Sequence, residues 1–223
     1  MAQLYNSLFV KDPKQFVDSY TVDIKTWFES IMRQSIKDKK VFQSRCLLEA
    51  ADQTGFCRAD MDPVGGYLGF GITTVQLRFV PIGGINAYWV PYHAGTGLPG
   101  FTDVLRSNPD CNFVFTAGMN GCAFIVTDSP KGVQYMRVYH NQHPDDDGIS
   151  QDIVNASGAT ISSLRFDEYG GGELKEMRNP LAFNFLHFHD GEWHYVFQPQ
   201  SFNALSLAPA KRLVGQSGTR PVF

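Results

Sequence analysis

The sequence predicts an α+β protein with a largely antiparallel sheet, and three observations support this class. A long apolar stripe at helical spacing lies near the N-terminus. From Gly65 onward, short segments rich in Val, Ile, Phe and Tyr alternate with turns of Gly, Pro, Asn and Asp. No pattern of helix length separates most of these segments, so neighbouring strands are expected to run antiparallel. Because no repeat or low-complexity linker divides the chain, we expect a single domain over residues 1–223.

The clearest predicted helix spans residues 13–37. Asp12 is a favourable N-cap, Pro13 suits the first helical position, and Asp12 with Gln15 has the spacing of a capping box. The apolar residues at intervals of three and four are Val17, Tyr20, Ile24, Trp27, Phe28, Ile31 and Met32. Such a stripe indicates a helix packed on its own core more often than a helix that binds a partner. A second helix is expected within residues 41–60.

The expected strands are short segments of β-branched and aromatic residues bounded by turn residues. They cover residues 73–80, 87–90, 112–116, 122–127, 133–140, 183–189 and 193–197.

Composition and charge argue against several classes of protein. Hydrophobic residues make up 43% of the chain and charged residues 18%, which is unlike a disordered protein. The net charge of −3 provides no positive field of the kind that nucleic-acid-binding proteins use. No apolar run approaches the roughly 18 residues of a membrane helix, and no signal peptide is visible. We therefore expect a monomer without a cofactor that binds neither nucleic acid nor membranes.

A hairpin that is rich in histidine is predicted near the C-terminus. The dipeptide Asp190-Gly191 favours a type I′ turn. This turn places Leu186, Phe188, Trp193 and Tyr195 on one face, and His187, His189, Glu192 and His194 on the other. Three imidazoles and a carboxylate on one face are a weak candidate for a metal site, and a solvated outer face of the sheet is the simpler interpretation.

A second hairpin carries the most informative cysteine of the four in the chain, which are Cys46, Cys57, Cys111 and Cys122. A turn centred on Lys131 would place Cys122 opposite His140, at the open end of an apolar face formed by Phe124, Val126, Met136 and Val138. Residues that face each other across strands have Cβ atoms roughly 4.5–5.5 Å apart, which permits a thiol–imidazole contact.

An adjacent imidazole activates a thiol as a nucleophile, so Cys122 and His140 are a candidate catalytic pair. Backbone N–H groups of the preceding loop, near Asn120 and Gly121, would then bind an oxyanion. The alternative is a cysteine that only fills the core, as expected for the other three cysteines. His93 remains a rival histidine on the residues alone.

The segment with Thr116 six residues before Cys122, the sequence Gly-Met-Asn-Gly-Cys and a histidine on the next strand resembles a family of Cys–His glutamine deamidases. That family contains the catalytic domains of cytotoxic necrotizing factors, Burkholderia lethal factor and the chemoreceptor deamidase CheD. The resemblance covers residues 112–143 and implies a β-sandwich-like core with flanking helices. It also implies that Cys122 is the nucleophile, that Thr116 orients the imidazole, and that His140, or alternatively His143, is the catalytic histidine.

The activity that the resemblance implies is deamidation of a glutamine side chain in a host protein by a secreted bacterial toxin or effector. Its partner would be a host protein such as a small GTPase or a translation factor, reached in the host cytosol without a visible signal peptide. The acidic segment from Pro144 to Gly148 would recognise a basic target, although a solvated loop is the simpler interpretation. The alternatives are a cysteine protease or transglutaminase with the same pair, or a non-catalytic protein-binding domain.

Overall fold

β-Strands are the main secondary structure in the part of the chain that the computed structural model describes. The described residues are 2–24, 55–64, 73–92, 97–170, 180–201 and 210–223. The helices are α1 (Ala2–Lys11), α2 (Pro13–Ser19), α3 (Asp147–Ser157) and α4 (Phe166–Tyr169). The strands are β1 (Thr21–Asp23), β2 (Phe56–Val64), β3 (Thr74–Phe79), β4 (Ile85–Val90), β5 (Gly100–Leu105), β6 (Phe113–Thr116), β7 (Ala123–Asp128), β8 (Tyr135–Asn141), β9 (Thr160–Leu164), β10 (Pro180–His189), β11 (Glu192–Ser201), β12 (Lys211–Arg212) and β13 (Gly218–Pro221).

The strands form two sheets. Among the described residues, the larger sheet has nine strands in the order β1-β3-β2-β4-β6-β10-β11-β12, with β13 also paired to β11. It is a mixed sheet, because β1 runs parallel to β3 and β4 runs parallel to β6. The smaller sheet has the order β5-β8-β7-β9, and its pairs are antiparallel.

The prediction of an α+β protein with a largely antiparallel, sandwich-like core and flanking helices is therefore wrong. The fold is largely β, its larger sheet is mixed and curls into a half-barrel, and helices are few among the described residues. Parallel pairing arises where a strand is followed by a long connection rather than a tight turn. The connection between β4 and β6 contains β5, a strand of the other sheet, which the turn-based interpretation did not anticipate.

The predicted helix over residues 13–37 is confirmed over its first two turns and contradicted over residues 20–24. Its start is confirmed, since Pro13 begins α2 and the Asp12 carboxylate accepts a hydrogen bond from the Gln15 N–H at 2.9 Å. The helix ends at Ser19, and β1 follows after Tyr20. Two β-branched residues at positions 21 and 22 favour the extended backbone, which pairs with β3. Residues 25–54 lie outside the described part of the chain.

The second predicted helix, within residues 41–60, is contradicted over its last five residues. Phe56 begins β2, whose side chains alternate between buried and half-buried positions as a strand requires. The remainder of that predicted helix lies outside the described residues.

The larger sheet is buried on both faces. On one face, aromatic side chains of β4, β6 and β10 pack against Phe9 of α1 and Phe16 of α2. On the other face, alternate residues of the same strands pack against β7 and β8 of the smaller sheet. Trp89 and Tyr88 illustrate the alternation, because these neighbours on β4 belong to the two different cores. A third, smaller core lies between α3 and the outer face of the smaller sheet.

Two buried glutamines on β11 hydrogen-bond to the backbone of α2 and of β1, the strand at the far edge of the larger sheet. The Gln198 amide donates to the carbonyls of Val17 and Tyr20, and its oxygen accepts from the Val22 N–H at 2.9 Å. The Gln200 amide donates to the Val22 carbonyl at 2.8 Å and to the Gln198 oxygen at 2.7 Å. Side-chain amides thus satisfy backbone groups that would otherwise be buried without a partner.

We expect Gln198→Ala to lower the free energy of unfolding by about 2 to 4 kcal/mol, because three buried backbone groups lose their hydrogen-bond partner. Urea denaturation measures the change. The matched control is Gln15→Ala at an exposed position of α2, which we expect to have little effect. Equal stabilities of the two variants would contradict this role for Gln198.

Candidate functional site

The β7–β8 hairpin keeps its predicted faces but shifts its predicted register. Phe124 pairs with His140 and Val126 pairs with Val138, so Cys122 is not directly opposite His140, as predicted. The shift is two residues, because the loop is centred on Gly132 rather than on Lys131. An even shift preserves the side of each residue, and the predicted apolar face is confirmed as fully buried in the core between the sheets.

His140 is completely buried and hydrogen-bonded to Thr116, the residue expected to orient it. Its Nδ1 lies 2.7 Å from the Thr116 hydroxyl oxygen, which lies 3.1 Å from the Val90 carbonyl oxygen. The threonine has one proton to donate and the carbonyl can only accept it, so the hydroxyl accepts from Nδ1–H. This arrangement assigns the proton of a neutral imidazole to Nδ1 and leaves the lone pair on Nε2.

The Nε2 atom of His140 is an unused proton acceptor. It is buried and has no hydrogen-bond partner among the described residues. Burial lowers the pKa of His140 to about 3, so the ring is neutral at physiological pH. A buried acceptor without a partner is unfavourable for folding, and a catalytic role is one reason for which such a group is retained.

Cys122 precedes the first residue of β7 and is 7% exposed. Its Sγ lies 3.8 Å from the Asn120 carbonyl oxygen, and its own carbonyl accepts a hydrogen bond from the Tyr169 hydroxyl at 2.8 Å. Burial raises the pKa of the Cys122 thiol, so it is protonated at neutral pH. With the observed register, Cys122 is a diagonal neighbour of His140, and such neighbours are typically about 7–8 Å apart.

The loop before Cys122 lies beside a surface depression. Met119 forms a two-bond bridge to Ala182 of β10, which fixes the loop against the larger sheet. Gly121 has a φ of 78°, a backbone conformation that favours glycine. Asn120 and Gly121 line a depression of about 460 Å³ together with Gln142, His143, Pro144, Asp145 and Asp146. Of the two candidate histidines, His140 contacts Thr116, whereas His143 is exposed in the wall of this depression.

Two tyrosines that were not predicted from the sequence contact the site. The ring of Tyr92 meets the ring of His140 edge-on, with centroids 5.3 Å apart. Tyr169, in the short helix α4, is buried and holds the Cys122 carbonyl. Neither tyrosine lies in a motif, and each is brought to the site from a distant part of the sequence. Only the three-dimensional arrangement identifies them.

The other predicted site residues have structural surroundings. Cys57 and Cys111 are buried in the cores, as predicted, whereas Cys46 and His93 lie outside the described residues. Within the acidic segment, Asp146 is the N-cap of α3 and accepts from the Ile149 N–H at 3.1 Å. Asp145 is exposed and lies 3.9 Å from Arg165.

The histidine-rich hairpin has the predicted register and turn. His187 pairs with His194 and His189 with Glu192, and both turn residues have positive φ. The His187 ring stacks on Phe113 and on His189, at centroid distances of 4.9 and 5.6 Å. Burial and the neighbouring imidazoles lower the pKa of His187 to about 4. Among the described residues, no group of three or more His, Cys, Asp or Glu side chains is arranged to hold a metal ion.

We expect stability to fall as the pH decreases from about 6.5, the usual pKa of an unfolded histidine, towards 4. The folded-state pKa values of His140 and His187 lie below that value, so the unfolded state binds more protons in this window. For His140 alone the loss at pH 4 is on the order of 3 kcal/mol. Urea denaturation at pH 7 and at pH 4 measures this loss.

The variant His140→Gln should lose part of this pH dependence, because Gln does not titrate. His143→Gln, at an exposed position away from both buried histidines, is the matched control and should retain the slope of the unmodified chain. If His140→Gln kept the full slope, the buried neutral state of His140 would be wrong.

Comparison with models of protein families identifies the family of this chain. No curated protein matches it. The profile of the family described as Mcf1 activator-binding domain matches residues 77–220, well over half of the chain. The matched segment begins near the end of β3, so it excludes α1, α2, β1 and β2, and it contains every residue of the Cys122–His140 site. The chain belongs to the Mcf1 activator-binding domain family.

Proposed function

We propose that this chain is a protein-binding domain whose partner is an activator protein. The observation that carries the proposal is the match of residues 77–220 to a family described by that property. The matched segment contains most of both sheets, which form a framework buried on both faces of the larger sheet. Binding domains need such a framework to hold a contact surface in one geometry without a large loss of entropy on association.

A contact surface for the partner lies at the tip of the β7–β8 hairpin, and we call it the tip patch. It consists of Val133, Arg106 and Phe223. Val133 is 90% exposed, and Phe223 is also exposed. The Arg106 N–H donates to the carbonyl of Gln134, next to Val133, and the Arg106 guanidinium lies 5.5 Å from the Phe223 ring centroid. Arginine and aromatic side chains are enriched at protein–protein interfaces relative to the rest of the surface.

The finer proposal is that the partner is a host protein, and small GTPases and translation factors are the first classes to test. The chain would act in the host cytosol after secretion or injection from a bacterium. Among the described residues, no helix combines the length and apolar character needed to cross a membrane.

The binding proposal is tested with labelled chain titrated against purified small GTPases, each loaded with GDP or a GTP analogue, and against translation factors. We expect saturable binding to one of them, weakened about tenfold by Val133→Asp because a carboxylate then enters a desolvated contact. The matched control is Ile82→Asp, at another highly exposed apolar position outside the tip patch.

Binding that Val133→Asp and Ile82→Asp weaken equally would remove the tip patch from the proposal. The absence of binding to every protein of both classes would overturn the proposed partner classes.

A second function, a thiol-dependent amidohydrolase, is favoured by one specific observation. His140 is held by Thr116 with its unpartnered Nε2 buried, on the same end of the hairpin as the Cys122 thiol. The proposed reaction converts a glutamine carboxamide and water into a carboxylate and ammonia. The Cys122 sulfur attacks the carboxamide carbon while its proton passes to Nε2, and ammonia leaves with that proton. Water then hydrolyses the thioester and restores the thiol.

The burial of both groups determines how such a reaction would start. The raised pKa of the thiol and the lowered pKa of His140 oppose a resting thiolate–imidazolium pair. Proton transfer therefore accompanies the attack on the carboxamide, with His140 as a general base. A small movement must also bring the sulfur and Nε2 together, since the register makes them diagonal neighbours.

The amidohydrolase proposal is tested by incubating a eukaryotic lysate with the unmodified chain, Cys122→Ser and His140→Gln, followed by peptide mass spectrometry. We expect conversion of Gln to Glu with the unmodified chain and its loss, by at least about a hundredfold, in both variants. Cys111→Ser is the matched control, since it removes a buried thiol outside the site.

Amine incorporation or chain cleavage that depends on Cys122 would instead identify a transglutaminase or a protease with the same pair. If no peptide changed in a manner that depends on Cys122, only the binding function would remain.

A further inference from the structure

Tyr92 is the solvent-facing member of the Cys122–His140 site. Its side chain is 37% exposed, whereas Cys122 is 7% exposed and His140 is fully buried. The Tyr92 ring packs edge-on against the imidazole at an interplanar angle of 76°. The Cys122 thiol is also close enough to Tyr92 to contribute, after burial, to raising the pKa of its phenol. Tyr92 is therefore next to both candidate catalytic groups, on their exposed side.

The backbone that carries Tyr92 is fixed to the same strands that carry the site. Val90 pairs with Thr116, and its carbonyl accepts the Thr116 hydroxyl proton. Pro91 approaches β5 so closely that a Cβ at Gly100 would lie 1.9 Å from the Pro91 carbonyl oxygen. Gly100 in turn pairs with His140 on β8. The absence of a side chain at Gly100 thus allows the chain to place Tyr92 beside His140.

We propose that Tyr92 is the gate of the Cys122–His140 site. Its ring separates the thiol and the imidazole from solvent, and a substrate reaches the sulfur only when the ring moves aside. The proposal rests on the amidohydrolase function and specifies how a substrate enters. Because the opening is limited to the space that one aromatic ring vacates, the site accepts a flat, slender group such as a side-chain carboxamide and excludes bulky reagents.

The experiment measures the rate at which Cys122 is alkylated in the folded chain, with peptide mass spectrometry to report this cysteine alone. Iodoacetamide is the small reagent, and a maleimide with a bulky substituent is the large one. We expect Tyr92→Ala to raise the iodoacetamide rate by about tenfold or more and the maleimide rate by a larger factor, because the thiol becomes accessible. Tyr92→Phe keeps the ring and should restore both rates to within about twofold of the unmodified chain.

The matched control is Tyr135→Ala, which removes a half-buried tyrosine at the other end of β8 and should leave both rates unchanged. If Tyr92→Ala does not fold, Tyr92→Leu provides the same test with an apolar side chain retained. Rates for Tyr92→Ala equal to those of the unmodified chain, or an equal increase in Tyr135→Ala, would overturn the gate. A faster alkylation together with no conversion of Gln to Glu would support the gate and overturn the amidohydrolase.

Discussion

The hydrogen bonds of the buried Gln198 side chain connect β11 directly with β1, the strand at the far edge of the curled larger sheet. The side chain bonds to backbone groups of α2 and β1 that are about 180 positions away in sequence, and so joins the two ends of the described chain. Because β1 has few residues and only one strand partner in the described sheet, side-chain amides replace the missing ladder on its other side. These bonds hold α2 against the larger sheet, and α1 packs beside α2 on the face of β6 and β10 that lies opposite the site.

The strands β6 and β10 bury the candidate site in the apolar core between the two sheets, where the dielectric constant is low. The strand β6 supplies Thr116, and the core between the two sheets surrounds His140 without water-exposed surface. In such surroundings an imidazole stays neutral and a thiol keeps its proton, so the site does not resemble a preformed ion pair. What the fold preserves is the tautomer of His140, because the chain from the Val90 carbonyl through Thr116 directs the ring proton to Nδ1.

The direction of side chains along the strands could be predicted from this sequence, whereas the pairing of distant segments could not. Alternation along β7, β8, β10 and β11 identified the buried faces of both hairpins, because the period of two depends only on neighbouring residues. The type I′ turn at Asp190-Gly191 also fixed one register, whereas the six-residue loop between β7 and β8 left the other open by two residues. An apolar stripe over residues 13–37 could not show that β1 would follow Tyr20, since the partner strand β3 lies some fifty residues away. Tyr92 and Tyr169 reach Cys122 through tertiary packing alone.

The two proposed functions use opposite ends of one hairpin. Val133 of the tip patch lies in the loop between β7 and β8, where it is solvated, and Arg106 of the same patch also pairs with Asp128 at the end of β7. The thiol and imidazole lie at the other end, beneath Tyr92 and beside α4. Because β7 and β8 are paired over six residue positions between these ends, a change at the tip leaves the packing around Cys122 intact. The two proposals are therefore tested separately by mutation, since a substitution at Val133 changes only the tip and a substitution at Cys122 changes only the buried end.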